Sequence, residues 1–139
     1  MKIAVIYWSG TGNTEAMAGS VAEGAKSAGA EVSVFTAADF SADMVDQFDS
    51  IAFGCPSMGS EQLEDSEFEP MFTACEGRLS GKNIALFGSY GWGDGEWMRS
   101  WESRCNDDGA NLACESVICN EAPDDDALAA CRELGASLA

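Results

Sequence analysis

Five short apolar runs, near residues 2–7, 31–36, 50–54, 83–89 and 112–119, alternate along this chain with stretches whose apolar residues recur at helical spacing. A strand, helix, strand succession brings each helix back across the sheet. It therefore predicts a parallel sheet with helices on both faces. The helices read as about 14–28, 68–79, 96–106 and one beginning after Pro123, with a short piece around Met44 to Phe48. In the first, Met17, Val21, Ala25 and Ala28 form an inward stripe, and Gly29 ends the helix as a left-handed cap. Phe68, Phe72, Cys75 and Leu79 share a face in the second, with Pro70 tolerated in its first turn. Ala127, Cys131, Leu134 and Leu138 line the last. No repeat or linker interrupts the pattern, and 139 residues suit a single domain spanning 1–139.

In sheets of this kind ligands bind beyond the carboxyl ends of the strands, where the strand order reverses. Three glycine-bearing loops follow the first, third and fourth runs and emerge together at that edge. The first, Ser9-Gly10-Thr11-Gly12-Asn13-Thr14, holds only glycines, hydroxyls and one amide, and it opens onto a helix N-terminus. Backbone N–H groups and the positive end of the helix dipole favour a phosphate there. The loop lacks the lysine of a nucleotide-hydrolysing loop and the three spaced glycines of a dinucleotide loop. It suits one terminal phosphate gripped by hydrogen bonds alone. The plainer alternative is a strand-to-helix turn with Thr14 as the cap.

The second loop, Cys55-Pro56-Ser57-Met58-Gly59-Ser60-Glu61, and the third, Tyr90-Gly91-Trp92-Gly93-Asp94-Gly95, carry flat or polarisable side chains among glycines that admit close backbone approach. With a phosphate loop beside them, they describe a pocket for an aromatic ring system with a phosphate tail. Packing of Trp92 on Tyr90, and Met58 as filler in the core, are the competing readings. Trp97 and Trp101, four residues apart, read as core.

Charge and composition remove other classes. Seven cations stand against 24 carboxylates, a net charge of −17, which opposes nucleic acid and anionic lipid and favours basic protein surfaces. The chain has no histidine, so Ser-His and Cys-His nucleophile arrangements are excluded. Six cysteines at 55, 75, 105, 114, 119 and 131 form no CxxC pair, and the first residues read as a strand and not as a signal peptide. Free thiols in a reducing cytoplasm are expected, and no apolar run is long enough to cross a membrane.

Ser9 to Thr14, Met58-Gly59-Ser60-Glu61 and Tyr90 to Gly95 together resemble the three cofactor loops of flavodoxins, in particular the short-chain type of anaerobic bacteria, and the similarity covers essentially the whole chain. The resemblance implies a doubly wound, five-stranded parallel sheet in order 2-1-3-4-5. It also implies one non-covalently bound FMN that cycles between semiquinone and hydroquinone, in a low-potential electron carrier and not an enzyme. Carried over to this sequence, the family pattern gives the phosphate to Ser9, Thr11, Asn13 and Thr14 with the amides around Gly10 and Gly12. Trp92 would stack on the outer ring face, Met58 would cover the inner one, and Glu61 would accept from flavin N3–H. Ser57, Ser60, Ser89, Tyr90, Gly91 and Gly93 complete the expected site, and Asn120 stands at a family position near the cofactor. Some relatives carry an acidic residue at the position of Ser60. The carboxylates at 61, 64, 65, 67, 69, 94 and 96 are expected around the ring end, where they would lower the potential. Expected partners are redox proteins with basic docking surfaces, met by a monomer. The alternative is an FMN-dependent reductase of a small substrate such as a quinone, although the chain has no evident insertion to build room for one.

Overall fold

A computed structural model describes residues 1–139. β1 (Lys2–Tyr7), β2 (Glu31–Thr36), β3 (Ser50–Gly54) and β4 (Asn83–Tyr90) are joined by parallel ladders in the order β2-β1-β3-β4. The fifth run occupies the edge beside β4, which completes the order 2-1-3-4-5. It is not the continuous strand expected at 112–119. β5 (Asn111–Leu112) and β6 (Val117–Asn120) pair with successive halves of β4, Ile84 facing Leu112 and Phe87 facing Val117. The edge strand therefore carries two more residues than β4 across Ala113 to Ser116. An edge strand can bulge in this way because only one side of it is committed to a ladder. The Ser116 hydroxyl fastens the excursion by donating to Glu102 Oε2 at 2.7 Å.

Alternation along the strands splits the core in two. Ile3, Val5, Ala52, Ala85 and Phe87 face α1 (Asn13–Ser27) and α4 (Asp125–Leu138). Ala4, Ile6, Ile51, Phe53, Ile84 and Leu86 face α2 (Phe68–Glu76) and α3 (Glu96–Asp107). Trp97 and Trp101 lie buried in that second layer, as their spacing indicates. The expected helix around residues 44–48 is a pair of short 3-10 turns, Ala37–Asp39 and Ala42–Gln47. They cover a cluster in which Phe35 meets Phe40 and Phe48 edge-on at 5.3 and 5.9 Å.

Three details of the helices correct the sequence reading. Ala28 is exposed at the C-cap of α1, and the inward stripe is Met17, Ala18, Val21, Ala22 and Ala25. Gly29 does take the left-handed conformation, at φ 97°, and Ala30 N–H closes the motif on Ala25 O at 3.1 Å. α2 ends at Glu76, and Leu79 is fully buried from the turn that follows. Ala127 is only half-buried, while Cys131, Leu134 and Leu138 face the core.

α2 begins at an internal acid. Glu64, 5 % exposed, accepts the backbone N–H of Ser66 (2.8 Å), Glu67 (2.8 Å) and Phe68 (2.9 Å), together with the Ser66 hydroxyl. Burial would raise its pKa, but these donors outweigh burial and hold it below the ordinary 4.5. The stability it confers is therefore complete above the unfolded value and is lost as pH falls through the lowered folded one. Glu64→Gln is expected to cost about 1–3 kcal/mol at pH 7 and little once the wild-type carboxylate is protonated. Urea unfolding of both proteins from pH 3 to 7 should show the two curves converging in acid.

No helix is long and apolar enough to cross a membrane. All six cysteines are free, and burial pushes the thiols of Cys105 and Cys131 up to about 12.

Candidate functional site

Beyond the carboxyl ends of β1, β3 and β4 the ladder continues for a few residues before the loops diverge. Trp8 N–H donates to Gly54 O at 3.0 Å, Cys55 N–H to Phe87 O at 3.1 Å and Ser57 N–H to Ser89 O at 3.0 Å. Past those bonds the three loops enclose a cavity of about 530 Å³. Gly10, Thr11 and Asn13 form one wall, Ser57 and Met58 a second, and Ser89, Tyr90 and Gly91 a third.

The first loop ends at Gly12, the N-cap of α1, at φ 94°. Gly12 N–H donates to Ser9 Oγ at 3.0 Å, which closes the turn on itself. No side chain caps α1, so the reading of Thr14 as its cap does not hold. Thr14 is buried instead, with its hydroxyl 3.3 Å from that of Ser89 near the end of β4. Helix-start N–H groups without a protein cap are suited to an external anion.

The second loop is a tight hairpin. Met58 and Gln62 exchange two backbone bonds of 2.8 Å around Gly59, Ser60 and Glu61. Gly59 sits at φ 54°, and a Cβ there would meet no heavy atom within 4 Å, so the backbone angle and not space calls for glycine. Glu61 shares that left-handed geometry at φ 53°, unusual for a residue with a side chain. Its carboxylate packs against Gly93, where a Cβ would collide with it, and Oε1 is buried without a partner.

In the third loop Trp92 is 59 % exposed and does not line the cavity, whereas Met58, 37 % exposed, does. Tyr90 packs on Trp97, ring centroids 5.5 Å apart, and Trp97 Nε1–H donates to Cys55 O at 3.1 Å. Those contacts hold the base of the loop and leave the Trp92 indole uncommitted.

The cavity thus gathers eight of the expected site residues. Ser9, Gly12 and Thr14 brace the wall made by the first loop, while Gly59, Ser60, Glu61 and Gly93 belong to the hairpin and its contact with the third loop. Asn120 does not line it: the side-chain amide turns to Tyr90 O at 3.4 Å. Glu121, at φ 56° with its N–H on Tyr90 O at 2.7 Å, takes that place together with Ala122. Trp8 and Pro56 are further lining residues that sequence reasoning missed. The adjacency of Trp8 to the glycine loop was the available signal. Its indole N–H is held by Glu67 Oε1 at 3.0 Å, and its ring fills the space that a Cβ on Gly10 would crowd.

The carboxylates of the acidic run are divided among several local contacts. Glu64 caps α2 and Glu67 holds Trp8. Glu69 binds Arg104 through both oxygens, at 2.8 and 2.6 Å, and Asp94 pairs with Arg99 at 2.9 Å. The Arg104 guanidinium beside Glu69 holds that carboxyl below its usual range. Asp65 and Glu96 line a cleft beside α3 together with Ser60, Glu61 and Glu69. Glu121 is the carboxylate that lines the cavity itself.

Hydroxyls and amides without a cation suit a phosphate ester, Met58, Trp8 and Tyr90 suit an aromatic ring, and the buried, unpartnered Glu61 Oε1 and Ser57 Oγ await donors or acceptors. FMN fits. Fold and site together define a doubly wound α/β protein that binds a mononucleotide at the switch point of its sheet. The flavodoxin family model matches residues 5–135. The flavodoxin of Megasphaera elsdenii is 48 % identical over 137 residues, covering 99 % of this chain and 98 % of that one. The flavodoxin of Clostridium beijerinckii is 44 % identical over 135 residues, 97 % of each. The solution structure of two-electron reduced Megasphaera elsdenii flavodoxin superposes with a TM-score of 0.90, covering 98 % of this chain and 97 % of that one. This chain belongs to the flavodoxin family: it is an FMN-binding electron carrier and not an enzyme, and the reductase alternative is not favoured.

Proposed function

We propose that FMN lies in the three-loop cavity with its phosphate on Ser9 to Thr14 and its ring between Met58 and Trp92, and that basic redox proteins dock at the ring edge. The observation that carries this reading is the buried Glu61 Oε1, an acceptor with no protein donor, held beside the third loop by Gly93. Flavin N3–H is a donor of the required kind.

The bound FMN supplies one-electron chemistry, and the protein sets its energetics. Ser9, Thr11, Asn13, Thr14 and the α1 N-terminus would hold the phosphate by hydrogen bonds alone, leaving its charge uncancelled by any cation. Trp92 and Met58 exclude water from the ring faces. Gly59 has no Cβ to oppose a change of its backbone angles, so its carbonyl would be the group to accept from a proton at N5. Glu121 on the cavity wall and Glu61 in the neighbouring hairpin oppose added negative charge. A unit charge at ~10 Å costs about 1.7 kcal/mol at an effective dielectric near 20, which is about 70 mV for one electron. The net charge of −17 opposes self-association and steers basic partners toward a monomer. The free thiols suit the reducing cytoplasm.

Potentiometric titration of the FMN-loaded protein is the test. The lower one-electron potential should lie at least ~70 mV below that of free FMN, and Glu121→Gln should recover part of the difference. Two potentials equal to those of free FMN would overturn the proposal.

A further inference from the structure

A single cation stands among three carboxyl groups where α2 meets α3. Arg104 donates its Nε–H to Glu76 Oε2 at 2.8 Å and an Nη2–H to Glu76 Oε1 at 2.6 Å. Its other bonds go to both oxygens of Glu69 and to Thr73 Oγ1 at 3.1 Å. Asp108 lies one turn further along, its backbone N–H on Arg104 O at 3.1 Å, so the two side chains share the face that meets α2. That turn brings its carboxyl within hydrogen-bonding reach of Glu76. Asp108 Oδ2 is shielded from solvent and receives no donor from the protein. As the C-cap of α3, Asp108 also sits where the helix dipole opposes negative charge. A buried carboxylate oxygen facing a second carboxylate is costly unless a proton lies between them. The surrounding groups offer no other relief. Arg78 is committed to Asp46 at 3.1 Å, and Lys82 Nζ donates to Phe48 O at 2.7 Å. Asp107 adds a like charge, Cys105 is a buried thiol, and Glu102 accepts from Ser116.

We infer that Asp108 and Glu76 share a proton and form a clasp between the ends of α2 and α3 that closes in mild acid. Arg104 keeps Glu76 ionised, so the proton resides on Asp108, whose hydroxyl donates to a Glu76 oxygen through a lone pair that Arg104 leaves free. Burial first, and then the Glu76 carboxylate, pushes the Asp108 carboxyl up to about 6 from its ordinary 3.8. The stability that the clasp confers is therefore complete below the unfolded value and is lost as pH rises through about 6. Its sense is opposite to that of Glu64, whose contribution is lost in acid.

The test uses the FMN-loaded protein. The side-chain carboxyl ¹³C resonance of Asp108, followed by NMR as pH is varied, should titrate with a midpoint of about 6. Glu76→Gln should carry that midpoint down toward the ordinary range, because an amide N–H then donates to Asp108 in place of a like charge. Asp108→Asn puts a permanent amide donor where the proton sits. Its unfolding constant in urea should be about 10-fold smaller than that of the wild type near pH 8, solvent screening trimming the full effect, and the gap should narrow steadily as pH falls toward about 4. An Asp108 carboxyl that titrates near 4 in the wild type, a midpoint that Glu76→Gln leaves unmoved, or an Asp108→Asn protein less stable than the wild type near pH 8 would each overturn the inference. The wild-type titration needs no variant, so it decides the matter even where a substitution impairs folding.

Discussion

Replacing Gly135 by alanine is expected to destabilise the protein by about 3 kcal/mol, a large share of the 5–15 kcal/mol typical of a domain. α1 and α4 cross through two glycines. A Cβ on Gly135 would fall on the carbonyl oxygen of Val21 and 2.9 Å from Ala25 N, and one on Gly24 would fall on the carbonyl of Arg132. Backbone on the opposing helix cannot rotate aside as a side chain does, so the helices must separate. Separation opens the layer formed by Val21, Ala25, Cys131, Leu134 and Leu138. It also loosens the chain just after Glu121 and Ala122, and FMN affinity should fall with stability. Gly19→Ala is the control: Gly19 lies in α1 with nothing within 4 Å of the added carbon. Relief of helix propensity should make that variant as much as ~1 kcal/mol more stable. Urea unfolding of the two variants should displace the midpoint in opposite directions. An unchanged midpoint for Gly135→Ala would contradict the close crossing.

Thr14→Val is expected to weaken FMN by about 10–150-fold, the range for a hydrogen bond to a charged acceptor. Valine keeps the shape of threonine and removes only the hydroxyl, which is buried against Ser89 Oγ. The apo-protein should lose no more than ~1 kcal/mol, because Ser89 then lacks one weak partner. A change in FMN affinity below ~3-fold would show that the hydroxyl serves packing alone.

β1, β3 and β4 were legible because helices cover both their faces, so each is a nearly unbroken apolar run. The edge strand was not. Its two extra residues are accommodated by the free side of β5 and β6 and by Ser116 on Glu102, a tertiary contact no local pattern announces. The loops were readable through their glycines, of which Gly12, Gly59 and Gly93 take positive φ in the structure. Glu121 escaped notice because its positive φ falls on a residue that rarely adopts it, while its neighbour Asn120 turns to a backbone carbonyl. The allotment of carboxylates was equally hidden. Glu64 reads as one acid among several until the start of α2 is known, and Glu69 acquires its role only when α3 brings Arg104 beside it. Ala28 was misplaced by one turn because the stripe on α1 continues to its end in the sequence but not in the packing.

The central claim is that loops without a cation grip a mononucleotide by its phosphate while an indole and a thioether flank its ring. Fluorescence titration of apo-protein with FMN and, separately, with riboflavin tests it most directly. FMN should be quenched at one equivalent, and riboflavin should bind at least ~100-fold more weakly, because the phosphate contacts are charge-assisted. Equal affinity for the two flavins, or no quenching by FMN, would contradict it.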